Sequence, residues 1–244
     1  MLNASGIPAV KPVAKDIWFQ RRRFAIPLAL YGHPFSSYTQ KALIALYENA
    51  VPFEFREVGP EAPEHGAEVQ RRSPVGKFPV LVDGERSVAE ASIIIEYLQM
   101  NYPGPVRLVP EDPAAALEVR FMDRFFDLYV MDGMQIAVEA ALGRVAMTRE
   151  DGLALATERL ERAYGWLDGY LGARTWAAGE AYSMADCAAS TALFYADWTY
   201  RIPERFAAVR AYRARLLARP SFARAVDEAR RFRHFFPLGA PDRD

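Results

Sequence analysis

Strand-forming patterns in this 244-residue chain stop at Pro103-Gly104-Pro105, and beyond that break helical spacing alone continues. A chain so divided folds as a mixed α/β unit followed by an all-helical one. Before the break, Leu28-Ala29-Leu30-Tyr31 reads as a short buried strand ended by Gly32-His33-Pro34, and Ser36-Ser37 supply capping hydroxyls for a helix. Its apolar positions recur through Ala42, Ala45 and Leu46, and Pro52 closes the segment. Phe53 to Val58 alternates charge with bulk as a second strand, and residues 59–73 form a long irregular connection with room for a short helix. Pro79-Val80-Leu81-Val82 and Arg86-Ser87-Val88-Ala89 make a hairpin around Asp83-Gly84, and Ala91 to Tyr102 is a helix. After the break, Asp112-Pro113 opens a helix through about Leu142, Arg149 to Leu171 is a second, and two or three more occupy Ser183 to Arg231. The expected division is an extended or disordered segment over 1–25, an α/β domain over 26–103, a linker over 104–112 and an all-α domain over 113–235.

Composition removes several functions. With 30 basic against 31 acidic residues, no global field favours nucleic acid or an anionic membrane. The one cysteine, Cys187, excludes an internal disulfide, and with three scattered histidines it offers no zinc-ligand spacing, so no metal is expected. His33, His65 and His234 are too isolated for a catalytic assignment. The mixture of arginine and aromatic residues over 230–236 reads as a helix end and tail packed back on the body. No apolar run approaches the length of about 20 residues of a membrane span. Arg21-Arg22-Arg23-Phe24 followed by residues 25–30 imitates a twin-arginine leader, but the run is short, contains Pro27 and supplies the first strand. A cytoplasmic protein is expected.

Three local patterns, in this order and spacing, resemble the cytosolic glutathione S-transferase family. Ser36-Ser37-Tyr38-Thr39-Gln40-Lys41 leading into Ile44-Ala45-Leu46 is similar to the serine-bearing first loop and helix of its zeta and tau classes. Gly76-Lys77-Phe78-Pro79-Val80-Leu81-Val82, with Glu90 and Ile93 to Leu98 after it, resembles the glutathione-binding stretch. Ser183-Met184-Ala185-Asp186 resembles the capping box of the second domain. The resemblance covers Leu28 to about Arg231. It implies a thioredoxin-like N-terminal domain (βαβ-ββα) before the all-helical C-terminal domain, glutathione as co-substrate and a homodimer. The implied role is detoxification: conjugation of glutathione to a small, largely apolar electrophile. A zeta-type glutathione-dependent isomerase or dehalogenase and a non-catalytic binding protein of the same fold are the alternatives.

The chemistry follows from the thiol. A free cysteine thiol with a pKa near 8.5 is only about 3% thiolate at neutral pH, and the thiolate is the nucleophile. Lowering that pKa by two units needs about 3 kcal/mol of preferential thiolate stabilisation. A hydroxyl hydrogen bond to a charged acceptor supplies about 1.5–3 kcal/mol and a helix N-terminus about 0.5–2 kcal/mol. Serine at the start of a helix brings both together, and the resemblance assigns that hydroxyl to Ser36. Ser37 is the alternative, because register in such a loop is open, while Tyr31 and Tyr38 are expected to pack. The resemblance also implies a cis Phe78-Pro79 bond, which leaves the Phe78 backbone to pair with an extended tripeptide. Lys77 is placed for a peptide carboxylate. Glu90 and Ala91 fall where the family carries an acidic residue or glutamine followed by serine; here the serine is missing, and Ser92 either compensates or only caps. Phe35 and Tyr129 are expected to line the second-substrate pocket.

Overall fold

The computed structural model describes residues 28–244. Residues 21–27 of the leader-like segment and the extension expected over 1–25 lie outside the described residues. Four short strands, β1 (Ala29–Gly32), β2 (Glu54–Glu57), β3 (Val80–Asp83) and β4 (Arg86–Ala89), form one sheet in the order β2-β1-β3-β4. β1 pairs in parallel with β2, Leu30 opposite Phe55, and antiparallel with β3, Leu30 opposite Leu81. The parallel pair needs a crossover, supplied by α1 (Ser37–Glu48), whereas β3 and β4 are joined by a tight turn at Gly84. The connection after β2 does hold a helix, α2 (Pro63–Arg72), and α3 (Ala91–Asn101) follows β4.

Alternation along the strands decides which helix covers which face. Leu30 and Leu81 point to one face and join Leu43, Ile44, Ile94 and Leu98 of α1 and α3 in the main core. Ala29, Tyr31, Val80 and Val82 point to the other and meet Val69 of α2 in a smaller cluster. Tyr31 is therefore a packing residue, its ring 5.7 Å from His65.

The helical half contains α4 (Pro113–Phe125), α5 (Asp132–Ala141), α6 (Arg149–Leu171), α7 (Met184–Thr199), α8 (Ala207–Leu217) and α9 (Pro220–Ala229). The segment expected as one helix from Asp112 to Leu142 is interrupted by a π-helical stretch, Phe126–Met131. α5 and α6 pack closely because Gly152 of α6 faces α5; a Cβ there would lie 2.4 Å from that of Ala140. Helix α7 is buried along nearly its whole length, and its first turn is held by Asp186, which accepts from Ser183 N (2.8 Å), Ala177 N (2.9 Å) and the Tyr212 hydroxyl (2.6 Å). Cys187 is buried in the same helix, and burial pushes its thiol above the usual range.

Several polar contacts tie the halves together. Arg219 makes a two-pronged bond to Glu48 at the end of α1 (2.7 and 2.6 Å). Deeper in, Lys41 of α1 is 1% exposed and reaches Asp123 (2.6 Å), Asp127 (2.8 Å) and the Ser92 hydroxyl of α3 (2.9 Å).

Candidate active site

Helix α1 begins at the floor of a cleft of about 740 Å³, within the size range of small-molecule sites. Ser36 is its N-cap, with extended backbone (φ −81°, ψ 127°), and its Oγ accepts from Thr39 N at 3.4 Å. That bond is long and leaves the hydroxyl proton available to a ligand. The amides of the first turn have no partner within the helix, so the hydroxyl and the positive end of the peptide dipoles converge on one spot. Ser37 and Tyr38 line the same cleft. Burial, then Asp127 and Asp132, push the Tyr38 phenol well above its ordinary range, so it stays neutral.

The loop carrying Ser36 is held from both sides. Gln40 Nε2 donates to Pro34 O (2.9 Å) and to the Tyr195 hydroxyl (3.1 Å), and Tyr195 donates in turn to Phe35 O (2.8 Å). His33 Nδ1 accepts from Phe35 N at 3.1 Å. Phe35 rests against Tyr195 (5.4 Å) and lines the cleft.

The second wall comes from the segment before β3. The Phe78-Pro79 bond is cis, and pairing of β3 with β1 starts only at Val80, so the Phe78 backbone lies outside the ladder. Gly76, at φ +64°, adopts a conformation open mainly to glycine, and Gln70 donates to its carbonyl (3.2 Å). Gly76, Lys77 and Phe78 all line the cleft, with Lys77 exposed. Asp132 faces the same space: burial raises its pKa, and the charge of Lys77 opposes that rise.

The start of α3 departs from the expectation. Glu90 is exposed and has φ +69°, a left-handed conformation uncommon for a non-glycine residue, and its carbonyl accepts from Ile94 N at 2.8 Å. Ala91 is buried and offers no hydroxyl. Ser92 does not compensate: its Oγ donates to Asp123 (2.7 Å) and accepts from Lys41 and Arg124, so it is turned into the junction between the halves.

Tyr129 also needs correction. It is 59% exposed and lines a different hollow of about 590 Å³ with Phe121, Phe125, Leu128 and Trp166. Its expected position assumed α-helical spacing, and the π-helical stretch shifts the phase of residues 126–131. In its place α5 presents Met134, Gln135 and Val138 to the cleft, and Phe235, Phe236 and Pro237 close the far side. The i, i+4 spacing of Met134 and Val138 marks a helix face, but nothing in the sequence says what that face meets.

Two family profiles match the chain: "Glutathione S-transferase, N-terminal domain" over residues 30–106 and "Glutathione S-transferase, C-terminal domain" over 136–215. A probable maleylacetoacetate isomerase of Vibrio cholerae is 31% identical over 220 residues, covering 82% of this chain and 96% of that protein. FtsZ-localized protein A of Caulobacter vibrioides is 28% identical over 209 residues, covering 81% and 90%. A glutathione S-transferase of Methylobacillus flagellatus, crystallised with glutathione bound, superposes with a TM-score of 0.69 at 27% identity over 81% of this chain and 98% of the other.

Proposed function

This chain belongs to the glutathione S-transferase family, and from that premise we propose that it binds glutathione in the Ser36 cleft and ionises the thiol for attack on a small electrophile. The observation that carries the proposal is the weakly engaged Ser36 hydroxyl at the open start of a 12-residue helix, beside Lys77 and Phe78. In this reading the Ser36 O–H donates to the sulfur, and the first-turn amides of α1 add the attraction of a helix N-terminus for an anion. The Phe78 backbone pairs with the peptide as a short added strand, and Lys77 meets a carboxylate. The γ-glutamyl carboxylate sits at the start of α3 on backbone amides, with Glu90 accepting from its ammonium. Phe35, Met134 and Val138 give the second substrate an apolar berth.

Calorimetric titration with glutathione, followed by ultraviolet difference spectra of the complex, tests the proposal. Saturation at or below millimolar ligand and a thiolate absorption band at pH 7 are expected; absence of saturation overturns it.

Ala91 and the committed Ser92 favour a second reading, a non-catalytic binding protein of the same fold. The similarity to FtsZ-localized protein A over 90% of its length keeps that reading in view. The Vibrio cholerae relative favours isomerisation of maleyl-type acids as the alternative chemistry. A conjugation assay beside an isomerase assay separates the three. The exposed aromatic hollow around Phe121, Tyr129 and Trp166 supports a homodimer, since large apolar patches mark contact surfaces.

A further inference from the structure

Two amides fix where the Ser36 side chain starts, its own and that of Phe35, and both are bonded to one residue. The Ser36 N–H donates to the His33 carbonyl at 2.9 Å, which closes a turn over residues 33–36. The Phe35 N–H donates to the His33 ring at Nδ1, 3.1 Å away. Pro34 stands between them, a residue favoured at the second position of a turn and without an N–H of its own, so the first amide open to the ring is that of Phe35. An asparagine side chain closes a turn on the amide two residues on in the same way. The imidazole adds a flat body that packs on the chain after α9, 4.5 Å from the Phe232 ring and 6.2 Å from that of Phe235.

The bond has a condition. An N–H donor needs a lone pair on Nδ1, so the ring must be neutral with its proton on Nε2; the imidazolium carries a proton on both nitrogens and has no acceptor to offer. The half-buried site favours the neutral ring: desolvation holds its pKa below the ordinary 6.5, the charge of Glu57 at the end of β2 raises it, and that of Arg231 on the turn Arg230–Phe235 lowers it. Glu57 and Arg231 are paired at 2.7 Å. His234 of the same turn packs on the Phe235 ring at 4.1 Å.

We propose that His33 is the positioning residue of the Ser36 hydroxyl: its neutral ring holds the turn closed so that the hydroxyl meets the sulfur, and protonation of the ring opens it. The proposal rests on the reading of the cleft as a glutathione site. It carries a sign that a nearby charge cannot imitate. A ring that acted as a cation beside the sulfur would favour the thiolate on protonation, whereas opening of the turn removes the Ser36 hydrogen bond and disfavours it. Coupling between two sites is reciprocal, so the thiolate in turn favours the neutral ring.

Glutathione itself is the probe. Long-range proton–nitrogen NMR reads the His33 tautomer and pKa in the free chain and at saturation, and ultraviolet difference spectra follow the bound thiolate between pH 8 and pH 5. The expected results are an Nε2–H tautomer in the free chain, a His33 pKa that falls on binding, and a thiolate band lost over a narrower pH span than a single site gives. His33→Phe keeps a ring against Phe232 without an acceptor and should lower the thiolate-to-thiol ratio about tenfold at pH 7. His33→Asn, whose side-chain oxygen accepts the same N–H and does not titrate, should recover most of that loss and widen the titration to a single site. His65 and His234 remain in both variants, so the change belongs to His33. Arg231→Gln, at an exposed side chain, removes a charge that opposes protonation of the ring and should move the loss of thiolate to higher pH. An Nδ1–H tautomer, a His33 pKa that rises on binding, or an unchanged ratio in His33→Phe overturns this proposal alone. The NMR readings on the unaltered chain decide it even if His33→Phe does not fold. If glutathione does not bind the unaltered chain, the reading of the cleft fails and the role of His33 falls with it.

Discussion

Replacing Lys41 with methionine isolates the contact that joins the two halves. The ammonium is 1% exposed and sits 2.6 Å from Asp123 and 2.8 Å from Asp127. Without it, two buried carboxylates share one remaining cation, Arg124, at 3.3 and 2.9 Å, and that side chain is 54% exposed and largely spent on solvent. Removing one partner of a buried ion pair costs about 3–5 kcal/mol, a large fraction of a total stability of about 5–15 kcal/mol. With a urea dependence of about 2.5 kcal/mol per molar, the unfolding midpoint should fall by roughly 1.5 M. The sign of the pH effect is fixed. Burial already raises the Asp127 pKa, with Lys41 opposing the rise, so loss of Lys41 raises it further. A carboxyl raised above its unfolded value stabilises the fold when protonated, and that contribution is lost as pH rises through the folded pKa. The deficit is therefore largest at pH 8 and narrows toward pH 5. Urea unfolding followed by tryptophan emission at pH 8, 6.5 and 5 measures it. A deficit under about 1 kcal/mol, or one that does not change with pH, refutes the reasoning. The triple variant with Asp123→Leu and Asp127→Leu should recover most of the loss, because an apolar replacement leaves no unpaired charge.

Two further outcomes concern the thiol and the carboxylate ends of the cleft. Ser36→Ala should lower the thiolate fraction and the conjugation rate at least tenfold. It should cost only about 0.5 kcal/mol of stability, since the cap bond is long at 3.4 Å; an unchanged pH–rate profile transfers the role to Ser37. Ala91→Ser restores a hydroxyl at the start of α3, and one hydrogen bond to a charged group is worth about 1.5–3 kcal/mol. Glutathione affinity should rise at least tenfold by titration, and no gain would mean that the γ-glutamyl carboxylate lies elsewhere.

The strands and most helices were readable from local chemistry. Turn residues and period-two alternation marked the four strands to within a residue or two, and Asp112, Thr148 and Ser183 sit at the helix starts. Resemblance supplied the cis bond at Pro79, which no spacing implies. Long-range partners were not readable. Asp123 and Asp127 stand i, i+4 within an aromatic run, but nothing in the sequence joins them to Lys41, which looks like any surface lysine of an amphipathic helix. Tyr129 was misplaced because a π-helical stretch has no clear residue signature, and an error of one position turns a side chain to another face.

These particulars bear on how the site divides its work. The Ser36 loop is set by Tyr195 and Gln40, one from each half of the molecule, and by His33 beneath it. A hydroxyl that must meet one sulfur atom needs such redundancy, because catalytic geometry tolerates displacement of only about 0.5 Å. The start of α3, by contrast, has a left-handed residue and an open helix end but no hydroxyl facing the cleft, that of Ser92 being committed to the junction. The Ser92 hydroxyl answers to Lys41 and Asp123, so its loss would be felt first in the packing of the halves and only through them in the cleft. On the proposed reading the thiol end of the cleft is the rigid one, and the carboxylate end would carry the weaker share of binding. On that reading the missing affinity would come from the electrophile end, where Phe35, Met134 and Val138 of α5 and Phe235 to Pro237 give the cleft its apolar surface.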